Sequence, residues 1–137
     1  LLRAALAEVR ETDRVLEVGT GSGYVAAGLL GRAAVVVATD INPHAARYAR
    51  ARGLAAVRTD LAMGLSGPFD LILFNPPYLP TAPEERIDDW LEYALDGGPT
   101  GRVVIERFVV DAGRVLSPYG RVLLLVSSLT DPDEVRR

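Results

Sequence analysis

Residues 14–23, RVLEVGTGSG, place a short apolar strand directly before a turn that contains three glycines. Glycine lets the backbone turn tightly and approach a ligand closely, and the N–H groups that open the following helix point at such a ligand. Residues 24–31 then carry a helical pattern. The stretch therefore predicts a strand–turn–helix unit whose turn can bind a ligand.

The rest of the chain repeats this alternation. After a first strand over residues 14–18, further strands are predicted over residues 35–39, 54–58, 69–74 and 121–126, with a turn at 118–120. Helices are predicted over residues 1–10, 24–31, 43–52, 84–95, 102–116 and 131–137. The third helix has the clearest signals, because Asn42 and Pro43 are typical of a helix start and Gly53 of a helix end. Five strands that alternate with helices indicate an α/β fold, with a parallel sheet covered on both faces.

The composition limits the classes of function that are open to the chain. Its 137 residues, 49% apolar and 24% charged, fit one globular domain over residues 1–137. No apolar run reaches the roughly 20 residues of a membrane span and no leader opens the chain, so we expect a cytoplasmic protein. With no cysteine and one histidine, a metal site is not expected. The net charge of −3 argues against direct binding of a nucleic-acid backbone.

The glycine turn has two interpretations. A dinucleotide fingerprint has the form G-x-G-x-x-G, with Ala allowed at the last position. Counting from Gly19 fails because position 24 is Tyr24, whereas counting from Gly21 gives Gly21, Gly23 and Ala26, a formal match shifted two residues toward the helix. On the glycines alone, a dinucleotide-binding enzyme therefore remains possible.

Acidic residues follow the second and third predicted strands. Asp40 ends the second strand, where its carboxylate can accept hydrogen bonds from two ribose hydroxyls or can simply end the strand. Asp60 follows the third strand and can accept a hydrogen bond from the exocyclic amine of adenine, with the backbone N–H of Leu61 opposite it. A role for Asp60 as a loop or capping residue is equally compatible with the spacing.

The run of residues 17–23 resembles the motif of class I S-adenosylmethionine (AdoMet)-dependent methyltransferases more closely than any dehydrogenase fingerprint. The resemblance implies a Rossmann-like fold with strand order 3-2-1-4-5 and AdoMet as the cofactor. The residues that it places in the AdoMet pocket are Glu17, Gly19, Thr20, Gly21, Gly23, Asp40, Ile41, Asp60, Leu61 and Asn75.

The tetrapeptide Asn75-Pro76-Pro77-Tyr78 follows the fourth predicted strand, beside the expected cofactor crevice. Two prolines fix the backbone and remove two N–H donors, which leaves carbonyls free to accept hydrogen bonds. The side-chain oxygen of Asn75 adds a second acceptor, and such a pair suits a planar –NH2 group, whose two hydrogens need two acceptors. The tetrapeptide therefore favours methyl transfer to a planar nitrogen, without separating glutamine amides from adenine or cytosine amines.

The resemblance becomes narrower when the motifs are taken together. Residues 16–23, 39–43, 59–61 and 74–78 resemble the HemK-like glutamine methyltransferases, and residues 97–102 and 106–108 resemble their archaeal and eukaryotic branch. That branch methylates the glutamine of the Gly-Gly-Gln motif in class I translation release factors. The resemblance implies that Asn75 and the Pro76 carbonyl hold the glutamine amide with Tyr78 beside it, and that residues 97–101 shape the substrate mouth.

The family also works with a small zinc-binding activator subunit that adds a strand at a sheet edge. Residues 54–57 are expected to form an apolar edge strand, which calls for a partner, so we expect a heterodimer. The family normally has a further segment before the position of Leu1 and two more strands after residues 131–137. We therefore expect the chain to be truncated at its termini.

Three alternatives to glutamine methylation remain at this point. An adenine N6-methyltransferase uses the same chemistry but needs a target-recognition region or a basic patch. A non-catalytic nucleotide-binding module predicts that replacement of Asn75 is silent. A dehydrogenase predicts NAD binding and gives residues 75–78 no role.

Overall fold

The computed structural model describes residues 1–77, 98, 101–128 and 131–136. Five parallel strands form one sheet in the order β3-β2-β1-β4-β5. The strands are β1 (Arg14–Val18), β2 (Val35–Asp40), β3 (Ala55–Arg58), β4 (Phe69–Phe74) and β5 (Leu116–Leu124). The helices are α1 (Leu2–Glu8), α2 (Tyr24–Leu29), α3 (Pro43–Ala51), α4 (Val103–Val115) and α5 (Pro132–Val135). The predicted α/β fold and strand order are thus confirmed.

Local sequence signals place the elements that surround the glycine turn. Strand β1 has its predicted bounds and β2 runs one residue further, to Asp40. Helix α3 begins as predicted, because the side-chain oxygen of Asn42 accepts a hydrogen bond from the backbone N–H of His44 at 2.9 Å and Pro43 occupies the first helical position. The helix ends before Gly53, whose φ of +84° suits a glycine.

The sheet buries apolar side chains on both faces. Helices α1, α2 and α3 cover one face, where the buried residues include Ala5, Val15, Ala26, Leu29, Ala49, Leu71 and Leu73. Helix α4 covers the other face, where they include Leu16, Val18, Ile72, Phe74, Phe108, Ala112 and Val115. The rings of Phe74 and Phe108 lie 4.5 Å apart between their centroids, which joins the end of β4 to α4.

The last strand differs from its prediction. Instead of a turn at residues 118–120 and a strand from Arg121, β5 runs from Leu116 to Leu124. Phe69 pairs with Leu116 and Leu71 with Arg121, so four residues of β5 lie opposite one residue of β4. Proline and glycine in this segment are typical of both turns and bulges, and only the pairing with β4 separates the two.

Strand β3 lies at the edge of the sheet as predicted, but it begins at Ala55 rather than at Leu54. Leu54 is instead a buried core residue. The helix predicted over residues 84–95, and the residues of the glycine loop at 97, 99 and 100, lie outside the described residues. Across the described part of the chain, every helix is too short or too polar to cross a membrane.

The packing of α4 on the sheet generates a stability prediction. Phe108 is 2% exposed, so Phe108→Ala removes a buried ring and leaves a cavity, and we expect the free energy of unfolding to fall by about 3 to 5 kcal/mol. Val110 lies on the same helix and is 78% exposed, so Val110→Ala is the matched control, with an expected change within about 0.5 kcal/mol. Urea denaturation of both variants measures the difference, and equal effects would contradict this packing.

Candidate functional site

The register of the sheet brings the predicted site segments to one edge. Val18 is in register with both Thr39 and Phe74, so the glycine turn and Asn75 leave adjacent strands side by side. The loop of residues 59–65 leaves β3 at the same edge. Ligands of open α/β sheets bind outside the carboxyl ends of the strands, which makes this edge the candidate site.

The glycine turn has the backbone conformation that its glycines predict. Gly19, Gly21 and Gly23 have φ values of +65°, +57° and +77°, a region that side chains with a Cβ rarely adopt. A Cβ on Gly23 would lie 2.9 Å from the terminal methyl group of Leu54, so this glycine also packs closely against that side chain. A Cβ on Gly21 would have no neighbour within 4 Å, so this part of the turn is open to a ligand.

The side chain of Glu17 links the glycine turn to the start of α2. Its buried carboxylate accepts hydrogen bonds from the hydroxyl of Thr20 at 2.7 Å and from the backbone N–H of Ala26 at 3.0 Å. Burial raises the pKa of Glu17 to about 7; these two hydrogen bonds oppose the rise, and the negative charge of Asp40 adds to it. The side chains of Glu17 and Thr20 thus fix the turn and the first residues of α2, and contact of either with a cofactor stays a prediction.

Asp40 ties the turn to the neighbouring strand. One oxygen of its carboxylate accepts a hydrogen bond from the backbone N–H of Gly21 at 2.9 Å, and the other accepts from that of Asn42 at 2.9 Å. An ionised carboxylate has about four acceptor positions, so each oxygen can accept one further hydrogen bond. This arrangement suits the two neighbouring hydroxyls of a ribose.

Leu61 has a strained backbone at the carboxyl edge. Its φ is +53°, and it is a buried residue with a branched side chain, for which this conformation is unfavourable by about 1 kcal/mol or more. Its carbonyl accepts a hydrogen bond from the hydroxyl of Thr39 at 2.8 Å, which fixes the peptide group. Such strain concentrates at functional sites, and the role of Leu61 in binding a cofactor stays a prediction.

Three charged side chains of α4 hold the loop of residues 59–65. Arg107 forms an ion pair with Asp60, and Asp111 accepts a hydrogen bond from the backbone N–H of Ala62 at 2.7 Å. Arg114 donates to the carbonyl of Ala62 at 2.7 Å. Sequence reasoning missed this contact, although charges at positions i, i+4 and i+7 of an otherwise amphipathic helix are a signal for one charged face.

Two further arginines, also missed by sequence reasoning, hold backbone carbonyls near the turn. Arg52 donates to the carbonyl of Ser22 at 2.9 Å, which ties the end of α3 to the glycine turn. Arg58 donates to the carbonyl of Ile41 at 3.2 Å, which ties β3 to the residue after Asp40. Ile41 is half-buried in this position.

Asn75 and Pro76 differ in their exposure to solvent at the end of β4. Asn75 is exposed, so its side-chain amide is accessible to a substrate, whereas Pro76 is buried and fixes the backbone that follows. The carbonyl of Phe74, one residue earlier, accepts a hydrogen bond from the backbone N–H of Leu125 at 3.0 Å and closes the sheet there. Tyr78, the third predicted catalytic residue, lies outside the described residues.

A concave region lies at the opposite end of the sheet, where the strands begin. This cavity of about 330 Å³ is lined by Arg10, Thr12, Asp13, Asp70, Ser117, Pro118, Tyr119 and Arg121. Arg121 crosses it to pair with Asp13 at 2.5 Å, which joins β5 to the start of β1. The carboxyl edge remains the candidate site, because the strained backbone of Leu61, the glycine turn and Asn75 all lie there.

The sequence has clear relatives among known proteins. The family described as the methyltransferase small domain matches residues 1–87. A Methanocaldococcus jannaschii protein that is named a protein N5-glutamine methyltransferase is 39% identical over an alignment of 141 positions, which covers 98% of this chain and 71% of that protein. The release factor glutamine methyltransferase of Deinococcus radiodurans is 44% identical over an alignment of 142 positions, which covers 90% of this chain and 50% of that protein.

Solved structures show the same fold. The ribosomal protein L11 methylase of Lactobacillus delbrueckii subsp. bulgaricus has a TM-score of 0.67 at 20% identity, over 90% of this chain and 56% of that one. A chain in the Haloferax volcanii complex between the Trm112 methyltransferase activator and a methyltransferase has a TM-score of 0.60 at 22% identity, over 89% of this chain and 49% of that one. The strand order 3-2-1-4-5 is therefore that of Rossmann-like class I methyltransferases.

The raised pKa of Glu17 predicts a pH dependence of stability. A carboxyl whose folded pKa, about 7, exceeds the unfolded value of 4.5 stabilises the fold most below pH 4.5, and this contribution is lost as the pH rises to 7. Between pH 5 and pH 8, we expect the free energy of unfolding to fall by about 2 kcal/mol more in the parent chain than in Glu17→Gln.

Urea denaturation at pH 5, 6, 7 and 8 measures this difference. Both chains carry His44→Asn, so that the single imidazole does not contribute to the pH dependence. The amide oxygen of Gln can accept the hydrogen bonds from Thr20 and Ala26, which keeps the turn closed. Parallel curves for the two chains would contradict the raised pKa.

Proposed function

Because the chain belongs to the HemK-like family of protein-glutamine methyltransferases, we propose that it methylates the glutamine side chain in the Gly-Gly-Gln motif of a class I translation release factor. The methyl donor in this proposal is AdoMet, and the acceptor atom is the amide nitrogen. The names of relatives with 39% and 44% identity support both the reaction and the substrate. Release factors act where translation terminates, so the proposed location is the cytoplasm.

The position of Asn75 carries the proposal. It is exposed at the end of β4, directly after Phe74, and because Phe74 is in register with Val18 it leaves the sheet next to the glycine turn. A side-chain oxygen there, followed by a proline-fixed carbonyl at Pro76, supplies two acceptors for the two hydrogens of one planar –NH2 group. Two acceptors beside the glycine turn would hold an amide –NH2 group next to the proposed methyl donor.

The residues at the carboxyl edge fit AdoMet. Asp40 has acceptor positions for the two ribose hydroxyls, and the open side of Gly21 leaves room for a close approach. Asp60 and the backbone of Leu61 are proposed to bind the adenine. In this proposal, Gly19, Gly23 and Ile41 line the AdoMet pocket. The side chains of Glu17 and Thr20 hydrogen-bond to each other and hold the glycine turn in place. When bound, AdoMet supplies an electrophilic methyl group on a sulfonium.

The proposed mechanism is mainly positioning. An amide nitrogen is a poor nucleophile because its lone pair is delocalised, so Asn75 and the Pro76 carbonyl hold both N–H groups and turn the nitrogen toward the methyl group. Transfer of the methyl group to nitrogen would break its bond to the sulfonium sulfur, which would keep the electron pair as a neutral thioether, while one N–H proton would leave to solvent and the other hydrogen would stay on the nitrogen. Tyr78 is proposed to pack beside the amide plane. The chain therefore needs no strong base for this reaction.

The adenine amine is the second candidate acceptor. Its planar –NH2 group fits the same pair of acceptors, so the geometry of Asn75 and Pro76 does not discriminate against it. The net charge of −3 disfavours a nucleic acid as the substrate, because phosphate contacts need basic residues. We therefore place glutamine first and include adenine in the test.

The proposed partner is a small zinc-binding activator subunit of the Trm112 type. Strand β3 forms a sheet edge, and its outward positions include Ala55 and Val57, the latter 37% exposed. An apolar edge strand can pair with a strand from another chain. The fold that the chain shares with the Haloferax volcanii complex supports an activator of this kind.

Replacement of Asn75 tests the catalytic role. Asn75→Ala removes one of two acceptors for the amide, so we expect kcat to fall by about 100-fold. Asn42→Ala is the matched control, because it changes the other Asn-Pro dipeptide of the chain and costs only the helix cap, about 1 kcal/mol of stability. Transfer of labelled methyl to a release factor gives the rates.

The same assay identifies the acceptor. It is run with and without a Trm112-type activator, on an intact release factor, on one whose motif glutamine is changed to Ala, and on single-stranded DNA and RNA. Label on the intact factor alone supports the proposal. Label on adenine makes the second candidate correct, and an unchanged rate in Asn75→Ala contradicts both.

The edge strand predicts where the activator binds. Val57→Arg places a charge on the exposed face of β3, so we expect the affinity for a Trm112-type activator to fall by more than about tenfold. Val110→Arg adds the same charge at a position that is 78% exposed on α4 and should leave the affinity unchanged. Isothermal titration calorimetry measures both, and equal affinities would place the activator elsewhere.

A further inference from the structure

Arg107 forms an ion pair with Asp60 at the carboxyl edge of the sheet. Arg107 comes from the middle of α4 and Asp60 from the loop after β3, 47 residues earlier in the chain. The side chains are 50% and 32% exposed, respectively. An ion pair this accessible to solvent contributes little to stability, so stability alone is a weak reason for the contact.

Arg107 bonds to one oxygen of the carboxylate, Oδ2 of Asp60. The backbone of the loop is held separately, because Asp111 and Arg114 bond to the N–H and carbonyl groups of Ala62. Loop position and carboxylate orientation therefore depend on different residues. Since the terminal torsion of an Asp side chain is broad, an unpaired carboxylate would sample many orientations, and the Arg107 contact selects one of them.

We propose that Arg107 is a positioning residue for adenine recognition: it holds Oδ2 of Asp60 so that Oδ1 accepts a hydrogen bond from the exocyclic amine. This inference rests on the proposed AdoMet-dependent function. The backbone of Leu61, strained at a φ of +53° and fixed by Thr39, lies next to this carboxylate in the chain. The backbone of Leu61 and the carboxylate of Asp60 then both face the edge of the purine.

The test combines a change in the protein with a change in the ligand. Arg107→Met keeps the length and the apolar stem of the side chain but removes its donors. The ligands are S-adenosylhomocysteine and S-inosylhomocysteine, which has a carbonyl in place of the exocyclic amine. We expect Arg107→Met to weaken binding of the adenine ligand by about fivefold and binding of the inosine ligand by less than about twofold. Isothermal titration calorimetry gives the four affinities.

Three further variants make the result specific. Arg107→Lys keeps the charge without the planar fork and should retain part of the preference for adenine. In Asp60→Asn, adding Arg107→Met should change the preference no further, because the residue through which Arg107 acts is already altered. Arg136→Met breaks another exposed Arg–Asp pair and should leave both affinities unchanged.

The outcomes separate this inference from the proposed function. Equal losses for both ligands, or no loss for either, would overturn the role of Arg107 while leaving AdoMet binding in place. If the parent chain binds neither ligand, the AdoMet-dependent function fails and the inference fails with it. A fivefold loss confined to the adenine ligand supports both.

Discussion

The shape of the candidate site at the carboxyl edge depends on the hydrogen bonds that the buried carboxylate of Glu17 accepts. By accepting hydrogen bonds from both Thr20 and Ala26, it joins the end of β1 to the start of α2 and holds the glycine turn between them. Asp40 completes the arrangement from β2 through the N–H of Gly21. Two carboxylates from neighbouring strands thus hold a turn that has few side chains of its own, and the open face of that turn is left for the ligand.

Signals that act over a few residues were predictable from the sequence. The apolar runs before Gly19 and Asn75 gave the bounds of β1 and β4, and Asn42 with Pro43 gave the start of α3. The shape of β5 was not predictable, because the same prolines and glycines form a turn or a bulge according to which residues of β4 they face. The difference is set by pairing across the sheet, which no local pattern encodes.

In the candidate site too, features set by the order of strands were predictable, and contacts between distant residues were not. That Asp40, Gly21 and Asn75 lie at one edge could be predicted, because each lies at or shortly after the end of a strand and the carboxyl ends of parallel strands share one edge. The contacts of Asp60 with Arg107 and of Ala62 with Arg114 could not, since they join residues 47 and 52 positions apart. The residue type likewise does not show that a carboxylate oxygen of Glu17 accepts hydrogen bonds from Thr20 and Ala26.

The bonds between α4 and the loop after β3 also bear on the order in which the chain folds. The Asp111 and Arg114 contacts to this loop span 49 to 52 residues, and such long-range contacts form only after a large loss of chain entropy. The backbone of Leu61 is strained and depends on its surroundings to keep that conformation. The loop after β3 therefore reaches its final conformation late, after α4 has docked, whereas the glycine turn can form early from contacts fewer than 10 residues apart.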